Sequence, residues 1–494
     1  MSEATAQALD LKKFLSAMRL NAEMKSAPVP MITDNLQKIT EDVSNEDRFL
    51  AGLAVLVFNV DRKDGKFDKT KIQDMLLKID KLVNAQVNEV IHNEKFQKME
   101  STWRGLADLL SSMKPKQNMM LDFLDVSKEE LADDFENNSV DLANGALFRK
   151  VYTAEYDQFG GKPFGGIVGL FDFEYTPKDL FWLRQMGKVA AVSHAPFVSS
   201  ISPKFFGCNS AEELAQVKDL EGMLNQPKYG AWQTLRDTPE AAYLGLTVPR
   251  YMLRLPWHPE KNPAGDMNFT EDMGKHEDNK YLWGNSAILF AKNMFRSFET
   301  SGWCQHMRGP KGGGLVSGLP VNTFNIRGED EIKIPIEFSI PDYRELEFAN
   351  SGFIPLVYRK GSADACFFSV QSVKKAKKFK DAKDSENSQL VTNLSYTLSV
   401  TRIAHYVKCI MRDNIGSTAD GPYIQKQLTS WISKYITTVP NPDDITLRYF
   451  PFKNATVEVK SREGMVGWYD CQIAVLPHIQ FEGMDVELRL DSRL

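Results

Sequence analysis

The tightest constraint on this chain is a run that no helix or strand can cross, Gly309-Pro310-Lys311-Gly312-Gly313-Gly314. Glycines stacked around a proline force a loop at that point. What precedes the loop is regular. Trp283, Ala287, Phe290, Met294 and Phe298 recur at steps of three and four, so the spacing predicts a helix with one apolar stripe. Gly302 stands where a left-handed C-terminal cap is needed, and a short apolar-aromatic piece, 303–307, leads into the loop. A lysine among glycines invites comparison with a phosphate cradle. The GxxxxGK[ST] spacing is missing and no Ser or Thr follows Lys311, so the loop is read as serving backbone geometry.

Upstream, residues 6–25 read as an isolated amphipathic helix with Leu11, Phe14, Leu15 and Met18 on one face. Pro28 and Pro30 cut it off from the body. It either docks on its own domain or lays its apolar face in a partner's groove. From 70 to 113 the pattern is long and helical, with Phe96, Met99, Trp103, Leu106 and Leu110 on one face. His92 reads as a helix-surface residue rather than a metal ligand. Residues 116–260 alternate between candidate strands (119–126, 166–173, 196–202) and candidate helices (142–156, 178–191, 212–220). That alternation predicts a mixed α/β layer. The glycine pairs at 160–161 and 165–166 precede a strand rather than open a helix, a poor dinucleotide fingerprint.

Downstream, 331–340 reads as a strand, with Pro335 marking an edge or a bulge. Pro341 opens a short helix over 342–350, Gly352 closes it, and 353–359 and 365–370 read as strands. The stretch 371–388 packs six lysines into ten residues and then turns acidic and polar, the pattern of a solvated linker. A helix follows, with Leu390, Leu394, Leu398, Ile403, Val407 and Ile410 at helical spacing, then a second from 423 to 436. His405 lies in the first and reads as a core or interhelix histidine. Two β-runs close the chain. Ala455, Val457 and Val459 alternate with polar residues, and so do Met484, Val486, Leu488 and Leu490 after a Glu482-Gly483 turn.

The bulk numbers narrow the class. A chain of 494 residues implies two or three domains, and 43% hydrophobic with 25% charged residues is ordinary for a soluble globular protein. A net charge of −5 argues against a general nucleic-acid binder. The start lacks a basic, apolar leader, and the longest apolar stretch, 50–60, is too short for a membrane span. Five scattered cysteines suggest free thiols in a reducing cytoplasm, and no CxxC pair suggests a zinc site. No GxSxG, HExxH or Walker A pattern occurs, so neither a cofactor nor a catalytic constellation is expected.

Several blocks, taken in order, resemble the large subunit of the type VI secretion contractile sheath, the TssC/VipB-like family. They are FQ-x-x-E-x-x-WRGL (Phe96, Gln97, Glu100, Trp103, Arg104, Gly105, Leu106), YLGLTVPR at 243–250 and YLWGN at 281–285. GWCQHMRG at 302–309, GGGLVSGLPV at 312–321, LEFANSGFIPL at 346–356, IAHYVK at 403–408 and the final VELRL at 486–490 follow. The resemblance spans roughly 70–494; the first seventy residues match less well.

The resemblance implies a mixed α/β, multi-domain contractile-sheath fold: an N-terminal helical region, a central α/β layer and a C-terminal helix-plus-β-sheet assembly region. The corresponding map is 1–46 for the N-terminal helix and linker, 47–370 for the helical hairpin and core, 371–388 for the charged linker and 389–494 for the assembly domain. It implies a structural protein of the bacterial cytoplasm, paired obligately with a small sheath subunit and stacked with copies of itself around an inner tube on a baseplate. No cofactor, nucleic acid or membrane insertion is implied. In such sheaths the helix carrying Arg344, Glu345 and Glu347 faces the inner tube. Met484, Val486, Leu488 and Leu490 would form an assembly strand. Leu11, Phe14, Leu15 and Met18 would meet a Clp-class recycling ATPase. The competing readings are a related phage-tail-like sheath, or an α/β enzyme using His405 or the glycine loop.

Overall fold

The structure, a computed structural model, describes residues 69–113, 118–265, 267–274, 277–326 and 329–478. The chain divides into two compact units, 1–93 with 257–272 and 94–256 with 273–494.

In the first unit, α1 (Lys69–Ile91) is tied by its polar face to the returning segment 257–272. Asn84 and Asn88 donate to the carbonyls of Asn268 and Thr270, each at 3.3 Å, and Asn88 accepts from the Asp272 amide at 2.8 Å. The His92 ring lies 3.2 Å from the buried Glu271 carboxylate, whose other oxygen accepts from the Trp257 amide at 2.8 Å.

The second unit opens with α2 (Glu94–Ser112) and α3 (Lys128–Asn137), followed by a π-helical segment, Arg149–Tyr156. Next come β1 (Ile167–Phe173), α4 (Pro177–Ser193), β2 (Phe197–Ile201), α5 (Gly230–Asp237) and β3 (Leu244–Val248). A small pair, β4 (Tyr251–Met252) and β5 (Trp283–Gly284), precedes α6 (Ala287–Ser301). Then follow β6 (Leu315–Val316), the hairpin β7 (Asn322–Ile326) and β8 (Glu329–Lys333), α7 (Asp342–Asn350), β9 (Ile354–Tyr358) and β10 (Ala365–Phe367). The last part holds α8 (Ala382–Thr392), α9 (Leu394–Asp413), α10 (Gly421–Ile432) and α11 (Asp444–Tyr449). The described elements end with β11 (Phe452–Ser461) and β12 (Tyr469–Pro477).

Six strands form one mixed sheet in the order β1-β2-β3-β9-β10-β6. Its first four strands run parallel, and β10 and β6 are added antiparallel. Both faces are covered, as a parallel sheet requires. Phe173, Phe197, Leu244, Leu246 and Phe353 point into a core shared with α3, α4 and α5. Val198, Ile354, Leu356 and Phe367 point the other way, toward α6 and the start of α9. Gly245 in β3 sits where a Cβ would come 2.7 Å from the Leu394 side chain, so glycine is what lets α9 reach the strand. The buried hydroxyls of Ser199, Thr247 and Ser286 are bonded. Ser199 donates to the Gly169 and Phe171 carbonyls at 2.8 Å, Thr247 to the Ser199 carbonyl at 3.1 Å, and Ser286 to the Thr247 hydroxyl at 2.8 Å.

The mixed α/β expectation holds, and α7 runs over the residues expected of it. Five local readings are corrected. Residues 119–126 form no strand; among the described residues no strand pairs with them. The helix before the glycine loop starts only at Ala287; Trp283 is taken by β5, which pairs with β4. The strand expected over 331–340 ends at Lys333, and the Pro335 carbonyl accepts instead from Met252 at 2.7 Å. The long helix around 390–410 breaks at Asn393, whose side chain accepts from the Ser395 amide and caps α9. The lysine-rich stretch is irregular only as far as Asp381, which caps α8. Its leading residues are held in place: the Val373 side chain is buried, and its amide donates to the Leu244 carbonyl at 2.9 Å.

Trp232 stacks on Phe353 with ring centroids 5.3 Å apart, and Phe205 meets it edge-on at 5.0 Å. Trp232→Ala should therefore cost about 3–5 kcal/mol, read as a lowered urea midpoint with an unchanged slope.

His405 on α9 donates from Nε2 to the Ser193 carbonyl at the end of α4, at 3.1 Å. Burial, foremost, holds its pKa down to about 4, and burial does the same for His306, also to about 4. The unfolded rings protonate near the ordinary value of about 6.5. Both folded values are depressed, so this contribution to stability is complete above pH 6.5 and is lost as pH falls toward 4. Urea midpoints measured between pH 7.5 and 4.5 should fall accordingly. The fall should be shallower in His405→Gln, which keeps an amide donor for the Ser193 carbonyl.

Candidate assembly surfaces

The hairpin β11–β12 stands apart from the central sheet. Its register runs from Phe452 opposite Pro477 to Ser461 opposite Tyr469, with a bulge between Phe452 and Asn454. Strict alternation gives it one half-buried face, where Ala455, Val457 and Val475 pack against Ile432, Trp431 and Tyr435. Thr456, Glu458, Lys460, Gln472 and Leu476 face outward. Among the described residues no third strand pairs with it, and only an isolated bridge from Ile436 to Phe452 meets the start of β11.

The hairpin is rooted by the segment that follows α6. Phe452 is fully buried and meets Trp303 edge-on at 5.3 Å, while Trp303 meets Tyr435 at 5.2 Å. The Arg402 guanidinium lies 4.9 Å from the Trp303 ring and 4.6 Å from Phe298, a cation held over two aromatic faces. Gln305 donates to the His478 carbonyl at 3.1 Å, and the His478 amide donates to Pro451 at 2.9 Å, closing the root from both strands. The GWCQHMRG block is thus a socket for the hairpin. Sequence reading found the block but missed Phe452 and Arg402, which lie far from it along the chain.

The glycine loop is not built as an anion cradle: the amides of Gly309 and Gly314 and the carbonyls of Gly309, Lys311, Gly313 and Gly314 are engaged within the fold. Gly309 donates to the Phe367 carbonyl at 2.7 Å, Gly314 to the Gly309 carbonyl at 2.9 Å, and Phe367 back to Gly314 at 3.1 Å. Arg296 donates to the Gly313 and Leu315 carbonyls at 2.7 and 2.6 Å, and Arg448 to Lys311 at 3.0 Å. Arginines on carbonyls are the opposite of what a phosphate nest presents. A Cβ on Gly314 would lie 2.4 Å from the Phe367 oxygen, so the glycine serves close approach between the loop and β10.

Helix α7 carries the expected inner-tube residues, and the structure separates them. Arg344 is only 4% exposed. It donates to the carbonyls of Leu214 at 3.0 Å and Ala215 at 2.9 Å, and to that of Val217. The expectation that Arg344 is available at the surface is corrected: its guanidinium satisfies the carbonyl end of the short helix Ala211–Gln216. Glu345 and Glu347 are half-buried, and burial pushes the Glu345 carboxyl above its usual range. The residues that α7 turns outward are Asp342, Tyr343 (65% exposed), Leu346 (57%) and Asn350. The N-terminal stripe of Leu11, Phe14, Leu15 and Met18 lies outside the described residues, as does the alternating run of Met484, Val486, Leu488 and Leu490.

Among the described residues no three His, Cys, Asp or Glu side chains converge to hold a metal ion, and no helix is long and apolar enough to cross a membrane. His405 has a structural partner in Ser193 and an aromatic neighbour in Tyr156 at 5.4 Å.

Residues 73–374 match a family model described as EvpB/VC_A0108, tail sheath N-terminal domain, and residues 383–494 match EvpB/VC_A0108, tail sheath gpW/gp25-like domain. A relative, the type VI secretion system sheath protein TssC1 of Pseudomonas aeruginosa, is 37% identical over 428 residues, covering 86% of each chain. Among solved structures, a chain of the anti-feeding prophage baseplate is similar at a TM-score of 0.38 and 9% identity, over 76% of this chain and 84% of that one. The contracted helical sheath of the same prophage is similar at 0.31 and 10% identity, over 63% and 67%. Both scores are too low to carry detail from those structures to this one. The two matched segments and the identity to TssC1 settle the family: the chain belongs to the VipB/TssC family of type VI secretion tail-sheath proteins, and it is a structural large subunit of the contractile sheath, not an enzyme.

Proposed function

We propose that this subunit pairs with a small sheath subunit in the bacterial cytoplasm, and that the pairs stack as a helical tube around an inner tube on a baseplate. Contraction of that tube drives the inner tube and its cargo outward. The observation that supports this reading is the hairpin β11–β12, which no third strand joins among the described residues. A two-stranded sheet alone is marginal in water, and its unpaired edges are templates for strands from neighbouring chains. Backbone hydrogen bonds made there join protomers while leaving the angle between their bodies free, as a tube with two packings requires. A contact between unlike surfaces that does not close on itself generates a helix. Met484, Val486, Leu488 and Leu490 are the proposed additional assembly strand, on the strength of their alternation. Helix α7 is the proposed inner-tube contact, through Glu345 and Glu347, with Arg344 bracing it from behind. The stripe of Leu11, Phe14, Leu15 and Met18 is the proposed handle for a Clp-class ATPase that recycles contracted sheaths.

Co-expression with the small sheath subunit, followed by negative-stain microscopy, should yield tubes; a monomer that never associates would sink the reading. Phe452→Ala removes the buried root of the hairpin. It should abolish tubes and admit protease within 452–477 while the central sheet stays protected. Tubes of normal length from this variant would move the joint elsewhere. At α7, Glu345→Lys and Glu347→Lys, made singly, should differ, one lowering secretion with sheath assembly intact. Equal and negligible effects would remove these charges from the contact.

A further inference from the structure

Two stretches of the second unit carry opposite charge in excess. Residues 122–141 hold eight acids and one lysine; residues 374–383 hold six lysines and one acid. The fold sets them at opposite ends of the parallel strands. Lys128, the first residue of α3, donates to the Asp172 carbonyl at 2.9 Å and to the Asp179 carboxylate at 2.8 Å, which fixes the acidic stretch at the carboxyl end of β1. The basic stretch follows Val373, whose amide donates to the carbonyl of Leu244, the first residue of β3. Since β1, β2 and β3 run parallel, that is the amino end of the same strands.

Each stretch uses part of its polarity within the fold and turns the rest outward. Lys374 donates to the Thr238 carbonyl at 3.1 Å. The Lys377 and Phe379 amides donate to the Ser388 and Ser385 hydroxyls of α8, at 2.8 and 2.9 Å, and so pin the backbone. Lys377, Lys378, Lys380 and Lys383 are exposed and make no salt bridge among the described residues. Beside them the exposed Phe379 and Val391 line a shallow hollow together with Lys377 and Asp384. On the acidic side, Glu130 closes a capping box and Asp134 accepts from the Ala146 and Leu147 amides. Asp122, Asp125, Glu129, Asp133 and Glu136 are exposed, also without a salt bridge among the described residues. Glu129, Asp133 and Glu136 follow at steps of four and three, so like charges crowd one helix face and work against it. Phe123 and Leu124 are exposed next to the first acids.

We infer that the acidic face of one copy docks on the lysine stretch of a second copy, with Phe123 and Leu124 against Phe379 and Val391. Charge names the partner, because each surface complements the other. Surfaces at opposite ends of one body meet only between two bodies. The contact is head-to-tail, so it propagates from copy to copy. Its place in a tube rests on the stacking proposed above.

In co-expression with the small sheath subunit, Lys377→Glu with Lys380→Glu should cut the number of tubes about tenfold or more, because like charges then face each other. Asp133→Lys with Glu136→Lys should do the same. All four changes in one chain should restore tubes. Co-expressing the two reversed chains should restore them too, since each surface then finds its complement only on a neighbour; a misfolded variant would not be repaired in this way. Tubes indifferent to both reversals, or a loss that neither combination repairs, would overturn the contact and leave the tube standing. A wild-type chain that forms no tubes would overturn the tube and this contact together.

Discussion

Helix α6 lies buried along one side of the six-stranded sheet, and three parts of the molecule hang from it. Its start is pinned by Ser286 to Thr247 of β3. Its middle holds the glycine loop, through Asn293 and Arg296 on the carbonyls of Gly313, Gly314 and Leu315. Its end delivers Trp303 to the base of the C-terminal hairpin. A sheet whose inner strands are buried on both faces must be covered on both sides, and α6 supplies much of one cover. The cover is then also a lever, because whatever moves α6 relative to the sheet moves the hairpin's socket with it.

That arrangement suits a structural subunit. Close-packed layers transmit displacement instead of absorbing it, so the aromatic core around Trp232 and Phe353 gives the sheath a stiff body. The parts turned outward are of the opposite kind: a hairpin that no third strand joins among the described residues, and a helix face bearing Tyr343 and Leu346. Exposed apolar groups gathered on one face are the kind of surface that partner contacts use.

The arginines show how polar groups are spent. Arg344, Arg296 and Arg448 donate to backbone carbonyls: Arg344 to the buried end of a short helix, Arg296 and Arg448 to the more exposed glycine loop. Their charges therefore act within the fold. A count of charged residues on α7 overstates what the helix can offer a partner, because one of them faces the core.

What the sequence determined by itself was local and periodic. Pro341 and Gly352 bracketed α7, and Gly302 took the left-handed cap predicted for it, with φ of 77°. Alternation at Ala455, Val457 and Val459 marked a half-wet strand, and the ordered motif blocks led to the family. Tertiary structure decided the rest. Periodicity tells which residues share a face and says nothing of what lies opposite. The stripe Met99–Trp103–Leu110 was legible, yet only packing showed that α2 buries Gly105 and Leu109 and turns the tryptophan outward. An apolar run becomes a strand only beside a partner strand, and among the described residues none pairs with 119–126. Trp303 and Phe452, or Arg344 and the carbonyls of 214–217, are joined across more than a hundred residues of chain. Contacts at that separation are set by how layers stack, and no local spacing records them.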